Sequence, residues 1–178
     1  MQAIARFIYF KLLGWKLEGE VPNISKCVMV VAPHTHWLDF LLGLLIRAAL
    51  KEEINFIGKE SLFKPPFGWF FRWMGGAPIA RSKKKNQVQQ IVEIFESKSK
   101  FRLALAPEGT RKKVDEWKTG FYYIAKAAKV PVIKIAFDFG KKTIKIADPV
   151  KMTDNMEADI AEIMKFYEGV KGKIPKYS

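Results

Sequence analysis

The sequence is short of cysteine, of acidic residues and of long apolar runs, and each shortage narrows the possibilities. The single cysteine, Cys27, cannot form an intrachain disulfide, which favours a reducing, cytosolic environment. No stretch reaches the roughly 18 consecutive apolar residues that a membrane-spanning helix needs. Lys and Arg number 31 against 18 Asp and Glu, a net charge of +13. We therefore expect anionic partners such as lipid headgroups, phosphorylated substrates or nucleic acid.

The fold class follows from length and apolar patterning. With 178 residues and 49% hydrophobic content, we expect one domain over residues 1–178. Apolar runs predict strands at 27–32, 54–58, 78–80, 101–106, 132–137 and 143–146. Helical patterns cover 2–13, 37–50, 86–97, 117–129 and 155–170, and a broken helical or loop excursion covers 62–76. Strands that alternate with helices predict an α/β fold, with a mostly parallel central sheet flanked by helices.

The first 16 residues allow two interpretations. They mix apolar side chains with Arg6, Lys11 and Lys16. One interpretation is a helix that lies in a membrane interface, with Tyr9 and Trp15 at headgroup depth. The other is an amphipathic helix packed on the domain.

Both histidines of the chain, His34 and His36, follow the strand predicted over 27–32, and Asp39 comes five residues after His34. Polar groups beyond a buried parallel strand are typical of α/β functional sites. This spacing lets the carboxylate accept from one imidazole nitrogen and leaves the other nitrogen free to take a proton. The alternative is that both histidines only cap and pack the loop. A metal site would need further protein ligands, and no third histidine exists, so we expect no bound metal.

A second polar cluster, Glu108-Gly109-Thr110-Arg111, follows the strand predicted over 101–106. Glycine lets backbone amides approach an anion, threonine offers a hydroxyl, and arginine can hold a phosphate with two hydrogen bonds. Arg81 is another candidate anion ligand. A solvated turn would have the same composition, so this cluster alone is a weak indication.

Aromatic residues are dense between positions 62 and 76. The candidates for an acyl channel or for contact with a bilayer are Phe63, Phe67, Trp69, Phe70 and Trp73. Packing in the core of the domain is the alternative for these side chains.

Together these blocks resemble the glycerolipid acyltransferase family, a bacterial member of which makes phosphatidic acid from lysophosphatidic acid. The family's His-x-x-x-x-Asp motif matches His34 and Asp39, and its Glu-Gly-Thr-Arg motif is complete at 108–111. Its strand introduced by Val-Pro matches residues 130–135. Its remaining block matches Gly58, Leu62, Phe63, Gly75 and Arg81. The order and spacing of the motifs agree over residues 27–137.

The resemblance implies transfer of an acyl group from acyl-CoA or acyl carrier protein (ACP) to the hydroxyl of a lysophospholipid such as lysophosphatidic acid. It makes His34 the general base and Asp39 its orienting partner, with no covalent acyl-enzyme and no cofactor. Backbone amides at a helix start would stabilise the oxyanion. It implies a peripheral or monotopic protein on the cytoplasmic face of the cell membrane. The acceptor's polar group would be bound by Arg81, Glu108, Gly109, Thr110 and Arg111.

Two positions depart from the family pattern. Pro33 stands where members commonly have asparagine, and His36 stands where a small polar residue is usual. Either change could alter the acceptor, so a lyso-lipid with an amino-acid headgroup stays open as a substrate.

A nucleic-acid-binding module is the alternative from a different class. The lysine-rich segments 82–85 and 171–176 motivate it. The chain has no helix-turn-helix, zinc-finger or RNP signature, so we expect no nucleic-acid partner.

Overall fold

A five-stranded sheet lies at the centre of the protein, of which the computed structural model describes residues 1–80 and 86–178. The strands are β1 (Lys16–Glu18), β2 (Lys26–Ala32), β3 (Phe56–Lys59), β4 (Gly76–Ile79), β5 (Phe101–Leu105), β6 (Val132–Asp138) and β7 (Thr143–Ile146). The helices are α1 (Gln2–Arg6), α2 (Leu38–Leu50), α3 (Gly68–Trp73), α4 (Gln87–Ser97), α5 (Gly120–Ala127) and α6 (Met156–Lys165). A π-helix, Phe7–Leu12, continues α1, and single 3₁₀ turns occupy Glu60–Phe63 and Pro175–Tyr177.

The strand order in the main sheet is β1-β7-β6-β2-β5. Strand β2 runs parallel to both of its neighbours, with Val30 opposite Leu105 of β5 and Ala32 opposite Ala136 of β6. Strand β1 is parallel to β7, and only the β6–β7 pair is antiparallel within this sheet. The predicted mostly parallel sheet with flanking helices is therefore confirmed.

Strands β3 and β4 form a separate parallel pair beside β5. Asn55 joins the two sheets, because its N–H donates to Arg102 O at 2.7 Å and its carbonyl accepts from Ala104 N at 2.8 Å. The small sheet thus extends the main one beyond its β5 edge.

Alternation along β2 divides the core between the two faces of the sheet. Val28 and Val30 belong to the cluster that α4, α5 and α6 cover, whereas Cys27 and Met29 belong to the cluster that α1 and α2 cover. This is the period-two pattern of a strand buried on both sides. Burial raises the pKa of Cys27 to about 12, so its thiol stays protonated and packs as a small apolar side chain.

The N-terminal helical segment packs on α2. Ala5 and Tyr9 are buried there, which agrees with the packed interpretation, while Ile4, Phe7 and Leu12 remain exposed on its outer side. None of the helices within residues 1–80 and 86–178 combines the length and the apolar character of a membrane-spanning helix.

Several element boundaries differ from expectation. Strand β1 was not predicted, because it has only three residues and the first and last of them are exposed, which leaves no apolar pattern. These residues form a strand because they pair with β7. The strand expected over 54–58 is Phe56–Lys59, since Asn55 bridges to β5 instead. The helix expected over 117–129 is the shorter α5 (Gly120–Ala127), and the helix expected over 155–170 is the shorter α6 (Met156–Lys165).

Candidate active site

The ends of β2 and β5 bring the two polar motifs together. These strands are parallel neighbours in register, so the loops that follow them start side by side. The backbone N–H of His34 donates to Oε1 of Glu108 at 3.0 Å. Residues 74 positions apart in the chain therefore form one site at the carboxyl edge of the sheet.

His34 and Asp39 form a hydrogen-bonded pair. Nδ1 of His34 lies 3.0 Å from Oδ2 of Asp39, whose side chain is buried in the first turn of α2. The same oxygen accepts from the N–H groups of Thr35 and His36, each at 2.9 Å. Nδ1 of the neutral imidazole donates its hydrogen to the carboxylate. Nε2 therefore carries no hydrogen and can act as an acceptor. Within the described part of the chain, Nε2 has no hydrogen-bond partner.

The second histidine has a different role in the loop. Nδ1 of His36 accepts from the N–H of Leu38 at 3.2 Å, which turns its ring toward the start of α2. The N–H groups of Thr35 and His36 donate to Oδ2 of Asp39. The N–H groups of Thr35, His36 and Leu38 therefore each have a partner within the loop. That backbone amides at a helix start stabilise the oxyanion stays a prediction.

Glu108 is buried and faces the loop that carries His34. Its Oε1 accepts the His34 N–H, and its Oε2 has no partner among the described residues. Burial raises the pKa of the Glu108 carboxyl, and the hydrogen bond from His34 opposes that rise. The observed partner of this carboxyl is the backbone of the loop, and its contact with the polar group of the acceptor stays a prediction.

The rest of the Glu-Gly-Thr-Arg turn is open to solvent. Gly109 has a φ of +63°, a left-handed conformation that glycine adopts without strain. A Cβ placed there would lie 2.6 Å from Nζ of Lys118, so the ammonium of this lysine lies over the turn. Thr110 and Arg111 are exposed. Sequence analysis missed Lys118, whose only signal is its charge, and Arg81 lies outside the described residues.

An apolar cavity of about 300 Å³ opens beside the dyad, between α2 and the sheet. His34, Asp39 and Arg111 are among its polar lining residues, so residues of both polar motifs border one space. Asp39 and Gly43 line it from α2 at helical spacing, followed by Ile46, Arg47 and Leu50. The sheet and the small sheet complete the apolar wall with Met29, Val31, Phe56, Ile135 and Phe137.

None of the five aromatic candidates from residues 62–76 lines this cavity. Phe63 is 4% exposed and packs against Phe71, so it belongs to neither the cavity nor an exposed surface. The other four are exposed to solvent: Phe67, Trp69, Phe70 and Trp73. The missed lining residues of α2 share a signal, which is their helical spacing from Asp39.

The described residues contain no metal cluster. Within 1–80 and 86–178, no three side chains of His, Cys, Asp or Glu lie close enough together to hold an ion. Both Nδ1 atoms of the histidine pair are already engaged within the loop.

Comparison with known proteins relates this site to a family. The family model described as Acyltransferase matches residues 16–138. The 1-acyl-sn-glycerol-3-phosphate acyltransferase of Streptococcus pneumoniae is 29% identical, over 86% of this chain and 61% of its own length. The Saccharomyces cerevisiae protein of the same name is 27% identical, over 91% of this chain and 59% of its own length. The chain thus spans about three fifths of these curated relatives.

A solved structure shares the fold. The 1-acyl-sn-glycerophosphate (LPA) acyltransferase PlsC from Thermotoga maritima matches with a TM-score of 0.64, over 93% of this chain and 76% of that chain. Their sequence identity is 19%. Because the family model covers well over half of the residues, and includes both polar motifs, this chain belongs to the acyltransferase family.

Proposed function

We propose that this protein is a membrane-associated O-acyltransferase. It moves a fatty acyl group from an acyl thioester, either acyl-CoA or acyl-ACP, to the hydroxyl of a lysophospholipid such as lysophosphatidic acid. The observation that carries the proposal is the 3.0 Å contact between His34 Nδ1 and Asp39 Oδ2 at an apolar cavity. The family of the chain and the names of its relatives support the acceptor class.

The dyad supplies the base. Asp39 holds the tautomer in which Nε2 of His34 can take the proton of the lipid hydroxyl. As that proton leaves, the hydroxyl oxygen attacks the thioester carbonyl carbon. The C–S bond then breaks, and the imidazolium returns the proton to the leaving thiolate. This scheme forms no acyl-enzyme and needs no bound metal or cofactor, because the hydroxyl is activated directly.

The cavity beside His34 suits the acyl chain of the donor. Its wall is almost wholly apolar and its volume lies at the lower end of the range for small-molecule sites. With the chain inside, the thioester carbon would lie at the polar end, beside the imidazole. The leaving thiol would then point out toward solvent.

The turn after β5 suits the acceptor's anionic group. Arg111 offers a bidentate fork at the cavity that His34 lines, and the ammonium of Lys118 adds a second positive charge over Gly109. Phosphate is the group that this geometry fits best. An acceptor with an amino-acid headgroup remains the second candidate, because Pro33 and His36 alter the loop.

Exposed apolar side chains and the positive charge support a location at the cytoplasmic face of an anionic membrane. Aromatic and aliphatic residues with more than a third of their surface exposed occur on the N-terminal helix, on α2 and on α3. Those on or next to these elements include Ile4, Phe7, Leu12, Trp37, Phe40, Leu41, Phe67, Trp69, Phe70 and Trp73.

An assay of thiol release from acyl-CoA with lysophosphatidic acid tests the proposal. Replacing the general base by H34A should lower kcat by roughly 100-fold or more. H36A is the matched control, since it removes the other imidazole of the loop, whose observed bond is to Leu38 N. Equal turnover by the parent and H34A would rule out His34 as the base.

The acceptor is identified by its product. Mass spectrometry of reactions with lysophosphatidic acid and with lyso-lipids that carry amino-acid headgroups, each with both thioester carriers, separates the two acceptor candidates. We expect diacyl product from the phosphate acceptor, and product only from the amino-acid lipids would reassign the acceptor.

A further inference from the structure

A second cavity, of about 460 Å³, opens at the same edge of the sheet and shares no lining residue with the cavity beside His34. We call it the lysine groove. Its apolar floor is formed by Leu13, Trp15, Leu38, Leu42 and Phe139. Three exposed lysines, Lys142, Lys171 and Lys173, also line it and form what we call its rim.

The charge on the rim is not neutralised. Among residues 1–80 and 86–178, none of the three lysines forms an ion pair with a carboxylate. Lys142 Nζ donates to the carbonyl of Leu13 at 3.3 Å. Asp138, which ends β6, is buried and accepts from the backbone N–H of Lys141 at 3.1 Å. An apolar floor under uncompensated positive charge suits an anionic ligand that also has a carbon chain.

The groove adjoins the catalytic loop. Strand β7 is antiparallel to β6, so the turn at 139–142 lies at the edge where β2 ends. The segment that carries Lys171 and Lys173 contacts the loop directly, because the N–H of Ile174 donates to Oγ1 of Thr35 at 3.1 Å. Thr35 is the residue next to the base.

The groove and the arginine turn flank the base on opposite sides. In the strand order β6-β2-β5, Arg111 follows β5 and the turn of the groove follows β6, while His34 follows β2 between them. On α2, Leu38 and Leu42 line the groove, whereas Asp39 lines the cavity of the dyad. Each side of the imidazole therefore has its own basic site.

We infer that the lysine groove binds the phosphate end of the phosphopantetheine arm that carries the acyl thioester. This inference rests on the proposed function, in which two substrates that each bear phosphate meet at one imidazole. Acyl-CoA and acyl-ACP share this arm, so the groove would serve either donor. The carbon chain of the arm lies over the apolar floor, and the rim ammonium groups pair with its phosphate.

Calorimetric titration of the full chain with CoA, 4′-phosphopantetheine and pantetheine tests the inference without any turnover. The variant K142Q/K171Q/K173Q removes the rim charges. The matched control, K98Q/K129Q/K151Q, removes three exposed lysines near the edge where β5 and β6 begin. We expect the groove variant to bind CoA and 4′-phosphopantetheine at least about tenfold more weakly, and the control to stay within about threefold of the parent. Pantetheine, which lacks the phosphate, should bind the parent and the groove variant alike.

Three results would overturn the inference. In the first, the parent binds neither phosphorylated probe. In the second, the groove variant binds both probes as tightly as the parent does. In the third, the groove variant keeps CoA affinity but loses binding to vesicles that contain anionic phospholipid, which would make the groove part of a membrane surface. Groove-dependent CoA binding by a protein that shows no acyl transfer would leave the groove assigned and refute the proposed function.

Discussion

The backbone N–H of His34 donates to Oε1 of Glu108 at 3.0 Å, and this bond ties the loop after β2 to the turn after β5. We predict that E108A lowers kcat by at least about tenfold with little change in KM, because it leaves a loop N–H unpaired and frees the imidazole to move. E108Q keeps an oxygen acceptor at this position and should retain kcat within about threefold. Steady-state kinetics with varied acceptor measures both values. A rise in acceptor KM without loss of kcat would instead place Glu108 in substrate binding.

The same residue should make stability depend on pH. Burial raises the pKa of Glu108 in the folded state, so the folded protein holds this proton above the ordinary pKa of about 4.3. Stability from this group is therefore present at low pH and is lost as pH rises toward the folded pKa. E108Q cannot ionise, so its Tm relative to the parent should increase between about pH 4 and pH 7. Thermal melts of both proteins across that range check this, and a constant difference would contradict it.

Two substitutions of Asp39 should separate its effect on kcat from its effect on the stability of the fold. Its Oδ2 accepts from His34 Nδ1 and from two backbone N–H groups, which D39A would leave unpaired. We expect D39A to lose about 2–4 kcal/mol of unfolding free energy. D39N keeps an acceptor oxygen but no charge to stabilise the imidazolium, so it should lose less stability and still lower kcat roughly 100-fold. Activity and thermal melts on the same preparations measure this, and parent-level kcat in D39N would remove Asp39 from the mechanism.

Gly43 should control the space for the acyl chain. It lines the cavity one helical turn after Asp39, and a Cβ added there meets no atom within 4 Å. G43L fills part of the cavity, so the preferred acyl-CoA should become shorter. G43A is the control, because it should raise helix stability by about 1 kcal/mol and shift chain preference little. Competition between acyl-CoA chains of different length measures the preference, and an unchanged profile in G43L would place the acyl chain elsewhere.

The exposed side chains of the N-terminal helix and of α3 should govern membrane binding. Removing the N-terminal residues is a poor test, since Tyr9 is buried in the core of the domain. We expect F7S/W69S to bind anionic vesicles at least about tenfold more weakly, because each aromatic ring loses its burial in the bilayer. Y123S removes a half-exposed ring from α5, on the opposite face of the sheet, and should leave binding unchanged. Flotation that is equal for all three proteins would move the contact to another surface.

The two polar motifs and their order could be predicted from the sequence because they depend on local spacing. Asp39 is five residues from His34 across a helix start, a separation that lets the two side chains meet. The apolar runs of β2 and β6 identify strands for the same local reason. The contact of Glu108 with His34 has no such local signal, since only the pairing of β2 with β5 brings the two residues together.

The cavity was not predictable from composition. Aromatic density pointed to residues 62–76, but packing buried Phe63 and left the others facing outward. The space beside His34 and Asp39 instead lies between α2 and the sheet, where Gly43 leaves room for a side chain. Strand β1 is a similar case, because its three residues become a strand only through β7.

The sequence by itself determined the chemical groups: one imidazole with a carboxylate five residues away, a Glu-Gly-Thr-Arg turn, and an excess of positive charge. These follow from residue identity and from short separations along the chain. The tertiary structure decided that Glu108 bonds to the loop that carries His34, and that an apolar cavity opens beside the imidazole of His34. It also decided that lysines from distant segments line a second groove. Strand order and helix packing set those contacts, because they join residues far apart in sequence that no local pattern relates.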